Sequence, residues 1–262
     1  YYHLKIGISK IIIYDNSDNI ELQFLEQTWE NKVLIIPWAN NNIIKSPFSK
    51  NRTFDGPLCC LSCEGVQIWA YENYILNYKK RNLMYKWVAF IDCDEFIQIN
   101  NGMNIVPFFN SINFNEGILT LNWVHYGSNG HNKYENKPLI ERFTKREPNG
   151  NTHHKSICVI ENTISVNHSM HDFKTTKYTR NANGDNIQHG LKSSPCIDKI
   201  SIAHFAVKSK EEFREKIDRK YAIIQNFGTR NWDHFNEFDR NEIEDLTLLN
   251  TLKSKKNTYN GL

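Results

Sequence analysis

The stretch Lys86–Gln98, KWVAFIDCDEFIQ, constrains this chain more than any other. Trp87, Val88, Ala89, Phe90 and Ile91 form a continuous apolar run of strand length, the pattern of a strand buried on both faces. The run breaks at Asp92-Cys93-Asp94-Glu95, so several carboxylates emerge together where a buried strand reaches solvent. Carboxylates packed so closely repel one another unless a cation sits among them, and hard oxygen ligands suit Mg²⁺ or Mn²⁺. In open α/β sheets, ligands bind outside the carboxyl ends of strands. The plainer reading is an acidic turn closing a strand, since a lone D-x-D arises easily by chance.

The flanking sequence supplies a setting for that turn. Tyr2–Ile6 followed by Gly7 reads as a helix end with its terminating glycine. Ile8–Tyr14 is an apolar strand ending in Asp15-Asn16-Ser17-Asp18, all turn formers. Glu21–Glu30 predicts a helix, Val33–Trp38 a short strand, and Glu64–Tyr78 an amphipathic helix with Val66, Trp69, Ala70 and Tyr74 at helical spacing. Between these, 40–61 is polar, carries Pro47 and Pro57, and predicts a long loop. Alternating helices and strands imply a parallel sheet, which would set the Asp15 and Asp92 turns on one edge.

Beyond the carboxylates, Met103–Ile112 predicts a short helix and Gly117–Tyr126 a strand. Leu139–Lys145, Ser156–Ile160 and Thr163–His168 predict strands with no helices between them, hence an antiparallel portion. Tyr178–Pro195 is polar and irregular, and Asp198–Val207 returns as a strand carrying His204. Ser209-Lys210-Glu211-Glu212 fits a capping box, with Phe213, Ile217, Tyr221 and Ile224 continuing at helical spacing. From Trp232 onward a small helical appendage is expected. The implied division is 1–228 for the main domain and 229–262 for the extension.

With 262 residues, 40% of them hydrophobic, the chain can bury a substantial core. A net charge of +3 with scattered Lys and Arg argues against a nucleic-acid binder. No apolar run approaches the ~18–20 residues of a membrane span. The opening YYHLKIG reads as a helix already under way, which leaves room for upstream sequence, an anchor included. The compartment stays open between the cytoplasm and, given such an anchor, the secretory lumen. The six cysteines do not decide it: Cys60 and Cys63 form one C-x-x-C without a second pair, and a Cys158–Cys196 disulfide is only one option. Asn51-Arg52-Thr53 and Asn167-His168-Ser169 fit the glycosylation pattern, which is common by accident.

Taken in order, YHLKIGISKIIIYDNSD, Gln67 with Ala70, WVAFIDCDEF, LNWVHYGSNGH, Ile140–Phe143, Lys155-Ser156-Ile157, His168, and Ile202–Phe205 with Lys208-Ser209 carry a resemblance. The chain resembles nucleotide-sugar glycosyltransferases of family 92 and family 2-like relatives, up to about Tyr221. The resemblance implies an α/β GT-A (Rossmann-like) mixed sheet with a parallel N-terminal half, antiparallel additions and a helical C-terminal appendage. That family's opening strand would lie before Tyr1.

It also implies roles. Asp92 and Asp94, completed by His204, would hold Mn²⁺ (or Mg²⁺) bridging the diphosphate of a UDP-sugar donor, UDP-galactose for instance, as a Lewis acid. Asp15 and Asn16 would meet uridine or ribose, with a simple turn as the other reading of Asp15. Lys155 and Lys208 would screen diphosphate charge. Trp123 and Tyr126 would stack on sugar, unless they are core residues, and His125, Gly127 and Ser128 would stand at the mouth of a pocket for a glycan or glycoprotein acceptor. An inverting transfer needs a general base, for which Glu141, Asp172 and His131 are candidates, with His168 and His171 as further base or metal candidates. Arg142 equally suits a pair with a core carboxylate. Two rival readings are a catalytically inactive carbohydrate-binding module and a metal-dependent nucleotidyltransferase; the latter lacks a Gly-rich phosphate loop.

Overall fold

The computed structural model describes residues 1–17, 21–38, 66–80, 85–167, 169–187, 194–218 and 230–255. Asp18, the long stretch 40–61 with the Asn51 sequon, Cys59, Cys60 and Cys63, the His168 side chain, and Tyr221 with Ile224 lie outside the described residues.

Helix α1 (Tyr2–Lys5) ends at Gly7, whose φ of +99° places it in the region glycine tolerates best. Strands β1 (Ile11–Asp15) and β2 (Val33–Pro37) form a separate parallel pair, linked through the short helix α2 (Phe24–Thr28). Helix α3 (Val66–Lys80) leads to β3 (Trp87–Phe90), and one acidic turn later β4 (Glu95–Ile99) begins. Then come α4 (Ile105–Ser111), β5 (Ile118–His125), α5 (Leu139–Arg142), β6 (Lys145–Arg146) and β7 (His154–Val159). Strands β8 (Thr163–Val166), β9 (Phe173–Thr175) and β10 (Thr179–Arg180) precede β11 (Ile200–His204). The chain continues through α6 (Lys210–Asp218), α7 (Trp232–Phe238), β12 (Ile243–Glu244) and α8 (Thr247–Ser254).

The central sheet runs β3-β7-β5-β11-β4, with β10 beside β5. It is a mixed α/β arrangement, and one expectation fails: β1 and β3 do not share a parallel sheet among the described residues. Instead β3 pairs antiparallel with β7, Trp87 opposite Val159 and Phe90 opposite Ser156. The chain doubles back after β5, so β7 enters antiparallel to β5 and takes the edge of β3 on that side. Leu139–Arg142 is also not a strand. Pro138 precedes it, and Leu139, Ile140 and Phe143 recur at helical spacing, Ile140 and Phe143 buried.

Directly opposed residues share a sheet face, which explains where the core stops. Ile99 faces Ile200, Ile97 faces Ile202, and the next row is Glu95, His204 and His125. Leu121 and Lys155 are opposed on β5 and β7. Each buried isoleucine contributes roughly 1.5–3 kcal/mol, so the apolar rows hold the sheet while its rim carries the ionisable groups. Cys158 and Cys196 are separate buried thiols.

The C-terminal segment is sewn into the same core. Leu248 and Leu252 of α8 pack in the cluster that holds Ile97 and Phe205. Asp245 accepts from Arg146 Nε at 2.6 Å and Gln98 Nε2 at 3.1 Å, and the Tyr126 hydroxyl donates to Gln98 Oε1 at 2.8 Å. Asp239 Oδ1 accepts the Ser128 N–H at 2.6 Å. No helix among the described residues is long and apolar enough to cross a membrane.

A Cβ on Gly127 would press into the Asn241 side chain and the Arg240 carbonyl oxygen, the latter backbone that cannot yield cheaply. Gly127→Ala is therefore expected to destabilise the fold by about 1–3 kcal/mol, measured as a lower midpoint in denaturant unfolding.

Candidate active site

The acidic turn is fixed at both ends. Glu95 N–H bonds the Asp92 carbonyl at 3.1 Å, and Asp92 N–H donates to Glu95 Oε2 at 2.8 Å. Across the sheet, Phe205 N–H donates to the Asp94 carbonyl at 2.9 Å, which ties the turn to the end of β11. That places His204 beside Asp94, its Nε2 3.9 Å from Asp94 Oδ1.

Each carboxylate has a lysine. Lys155 Nζ, with its side chain 1% exposed, lies 3.0 Å from Asp92 Oδ2 and 3.5 Å from Glu95 Oε2. Gln67 Nε2, from α3, donates to the other Asp92 oxygen. Lys216 Nζ, from α6, lies 2.9 Å from Asp94 Oδ2 and donates to the Ala206 carbonyl at 2.9 Å. Burial pushes the Asp94 carboxyl up, but Lys216, His204 and Lys208 outweigh it and hold it down at about 2. Burial pulls the His204 imidazole down to about 4 against the attraction of Asp94, so it is neutral at pH 7. Glu95 is raised by burial and by Asp92, with Lys155 opposing. Its Oε1 is buried without a hydrogen-bond partner among the described residues. Lys208 adopts φ +61°, an uncommon left-handed conformation for a non-glycine residue, directly after the His204 segment.

Asp92 and Glu95 line a cavity of about 850 Å³, together with Tyr14, Asn16 and Gln67. Much of its apolar wall comes from β1 and β3, with α1, α3 and α4 adding Tyr2, Tyr71 and Phe109, and Trp87, Val88 and Ala89 are only half-buried instead of covered on both faces. Asp94 and His204 fit a divalent cation: a carboxylate and a neutral imidazole 3.9 Å apart are within reach of one ion with bonds of about 2.1 Å. No set of three His, Cys, Asp or Glu side chains forms a metal-binding cluster among the described residues. A cation here would therefore complete its shell with ligand oxygens and water, as Mg²⁺-like ions do at diphosphates.

The other expected residues divide clearly. Asn16 reaches the cavity, while Asp15 turns both oxygens to its own loop, accepting Ser17 N–H at 2.9 Å and Leu22 N–H at 3.4 Å. Glu141 is exposed on α5, His131 Nδ1 pairs with Glu135 at 3.2 Å, and Asp172 Oδ2 accepts from Asn167 at 2.9 Å. Arg142 forms a bidentate pair with Glu212 at 2.8 and 3.0 Å. Tyr126 is not a sugar platform: it is 1% exposed in the core. His125 and Ser128 are buried too, and Gly127 admits the Arg240 backbone, so the segment 125–128 lies under the C-terminal extension and opens no pocket mouth.

Trp123 is enclosed by imidazoles. His153 stacks on it at 5.3 Å, His204 lies 4.5 Å away, and His125 and His171 meet it edgewise. Its indole N–H, both nitrogens of His125, and one nitrogen each of His171 and His204 are buried without hydrogen-bond partners among the described residues. Sequence reasoning missed Lys216 and any role for Glu95. The signal for Lys216 was present, because it follows Phe213 at i+3 and shares that residue's side of an amphipathic helix.

A family model described as glycosyltransferase family 92 matches residues 1–245. Comparison with curated proteins gave no match.

Burial pulls His125 and His171 from 6.5 down to about 3. The folded protein keeps these rings neutral while the unfolded chain protonates them below about 6.5. Stability should therefore fall as pH drops from about 6.5 towards 3, by about 1.4 kcal/mol per pH unit for each ring. Urea unfolding at several pH values checks this, with His125→Phe expected to flatten the slope.

Proposed function

The chain belongs to glycosyltransferase family 92, and from that premise we propose that it transfers a hexose from a UDP-sugar such as UDP-galactose to a glycan or glycoprotein acceptor, with inversion and with Mn²⁺ or Mg²⁺ bound. On this reading the sheet is of the GT-A type, with residues 1–228 as the catalytic domain. The observation that carries the proposal is the pairing of Asp94 and His204 at 3.9 Å, beside Asp92 and next to a nucleotide-sized cavity.

Asp92, Asp94 and His204 would hold the cation, which supplies a positive charge to the leaving diphosphate. Lys155, Lys208 and Lys216 add positive charge around the same turn, whose attraction for developing negative charge is strongest where water is excluded. Asn16 and Gln67 offer hydrogen bonds to the nucleotide from the cavity wall. Inversion requires a group that removes the proton from the acceptor hydroxyl. Of the three candidates, Asp172 stands two residues from Met170 of the cavity wall, whereas no lining residue neighbours Glu141 or His131 in the chain, and we propose Asp172 as the base.

Asp94→Asn should lower transfer by about 10²-fold or more in a UDP-sugar assay with Mn²⁺, while circular dichroism stays native. Full activity at saturating donor would sink the assignment. Asp172→Asn should cost about 10²–10⁴-fold at fixed donor affinity, whereas Glu141→Gln on the exposed face of α5 should leave the rate unchanged.

A further inference from the structure

We propose that Lys155 and Lys216 are exchangeable counter-ions that couple cation binding to nucleotide binding: each holds a carboxylate of the acidic turn until the cation arrives, then turns to the diphosphate. The proposal rests on the functional reading above and deepens it.

The argument starts from charge. The turn gathers Asp92, Asp94 and Glu95, and three lysines stand among them: Lys155 on Asp92 and Glu95, Lys216 on Asp94, and Lys208 close enough to depress the Asp94 pKa. Burial favours the neutral form of Glu95, so the charged groups a ligand meets are Asp92 and Asp94 against three lysines, and a divalent cation entering alone finds carboxylates already neutralised. It must share aspartates on which an ammonium group already holds one oxygen, at 2.9 and 3.0 Å. A diphosphate entering alone must approach both aspartates while the lysines are engaged with them. Arriving together they relieve each other: the cation takes the carboxylate oxygens, and the released lysines face phosphate oxygens.

The geometry permits the exchange. Each lysine occupies one oxygen of its aspartate: Lys216 takes Asp94 Oδ2, while Oδ1 faces His204. A lysine stem has the rotatable bonds to move its charge without moving the backbone. Glu95 adds a second, independent sign of a ligand, because the residue lines the same cavity and its Oε1 is buried with no hydrogen-bond partner among the described residues. Lys155 lies 3.5 Å from Glu95 Oε2, so it keeps a carboxyl neighbour when it leaves Asp92.

Linkage makes the proposal measurable, since the cation must raise nucleotide affinity by the factor by which nucleotide raises cation affinity. Titration calorimetry would measure Mn²⁺ alone, UDP alone, and UDP with saturating Mn²⁺. In the unmodified chain the two ligands should tighten each other by about tenfold or more. Lys216→Met should bind Mn²⁺ alone about tenfold more tightly, bind UDP in the presence of Mn²⁺ more weakly, and lose most of the coupling. Lys216→Arg keeps the charge and should restore it. Lys216 is the residue of choice because it lies on the surface helix α6, whereas Lys155→Met endangers folding; thermal unfolding of each variant guards against that. Mn²⁺ affinity unchanged or weaker in a folded Lys216→Met chain, or coupling intact, overturns the exchange while leaving the transferase reading standing. An unmodified chain that binds neither UDP nor Mn²⁺ under any combination overturns both.

Discussion

A lysine with almost no access to water, Lys155, stands between two carboxylates, and the rest of the site depends on that contact. Removing an ammonium group from water costs several kcal/mol, and stranding it without a partner costs about 3–5 kcal/mol. Asp92 and Glu95 must therefore remain where Lys155 can reach them. Glu95 answers twice, since it also accepts the Asp92 N–H. The acidic turn is consequently not a pliable loop but a piece of backbone fixed by a buried charge. The charge comes from β7, remote in sequence, and β7 reaches it only because it lies between β3 and β5.

The same sheet face shows why the site forms at this rim. Along β4 and β11 the paired rows run from isoleucine to isoleucine and then to Glu95 opposite His204. Apolar burial fixes the register, because a slip of one residue would turn every isoleucine to the wrong face. The register in turn sets the ionisable row. His204 is thus positioned by Ile200 and Ile202, and its neighbours His125 and Trp123 inherit their places from β5. Burial keeps these imidazoles neutral, so His204 presents an unprotonated nitrogen beside the ionised Asp94 of the turn.

Much of this was legible in the sequence, and the failures have definite causes. Asp92 and Asp94 stood out because the apolar run 87–91 stops at Asp92, and His204 because it interrupts the apolar run 202–207. The parallel alternation of the first half misled, because helix–strand order does not say which later strand will take a free edge. The β7 segment, HKSICV, looks like a strand with an outward lysine, and nothing local reveals that Lys155 points inward at buried carboxylates. Tyr126 read as a sugar platform, and His125, Gly127 and Ser128 as a pocket mouth, because they close a strand. Their cover comes from Arg240 and Asn241, within a segment whose polar composition hides Leu248 and Leu252. Leu139–Lys145 shows the usual ambiguity of short apolar runs between helix and strand.

Helix α6 decides what kind of motion the site can make. Its first turn is clamped: Ser209 donates through N–H and hydroxyl to Glu212, at 3.2 and 2.6 Å, while Arg142 grips both oxygens of the same carboxylate. Burial pushes Glu212 up, and Arg142 and Ser209 together hold it at about 2, so the clamp is charged at neutral pH. Lys216 lies one turn further on the same side of the helix, at i+4 from Glu212. The helix cannot roll or slide to carry Lys216 away from Asp94 without tearing that bidentate pair. Any transfer of its charge must happen along the lysine stem, over the few ångströms the side chain can swing.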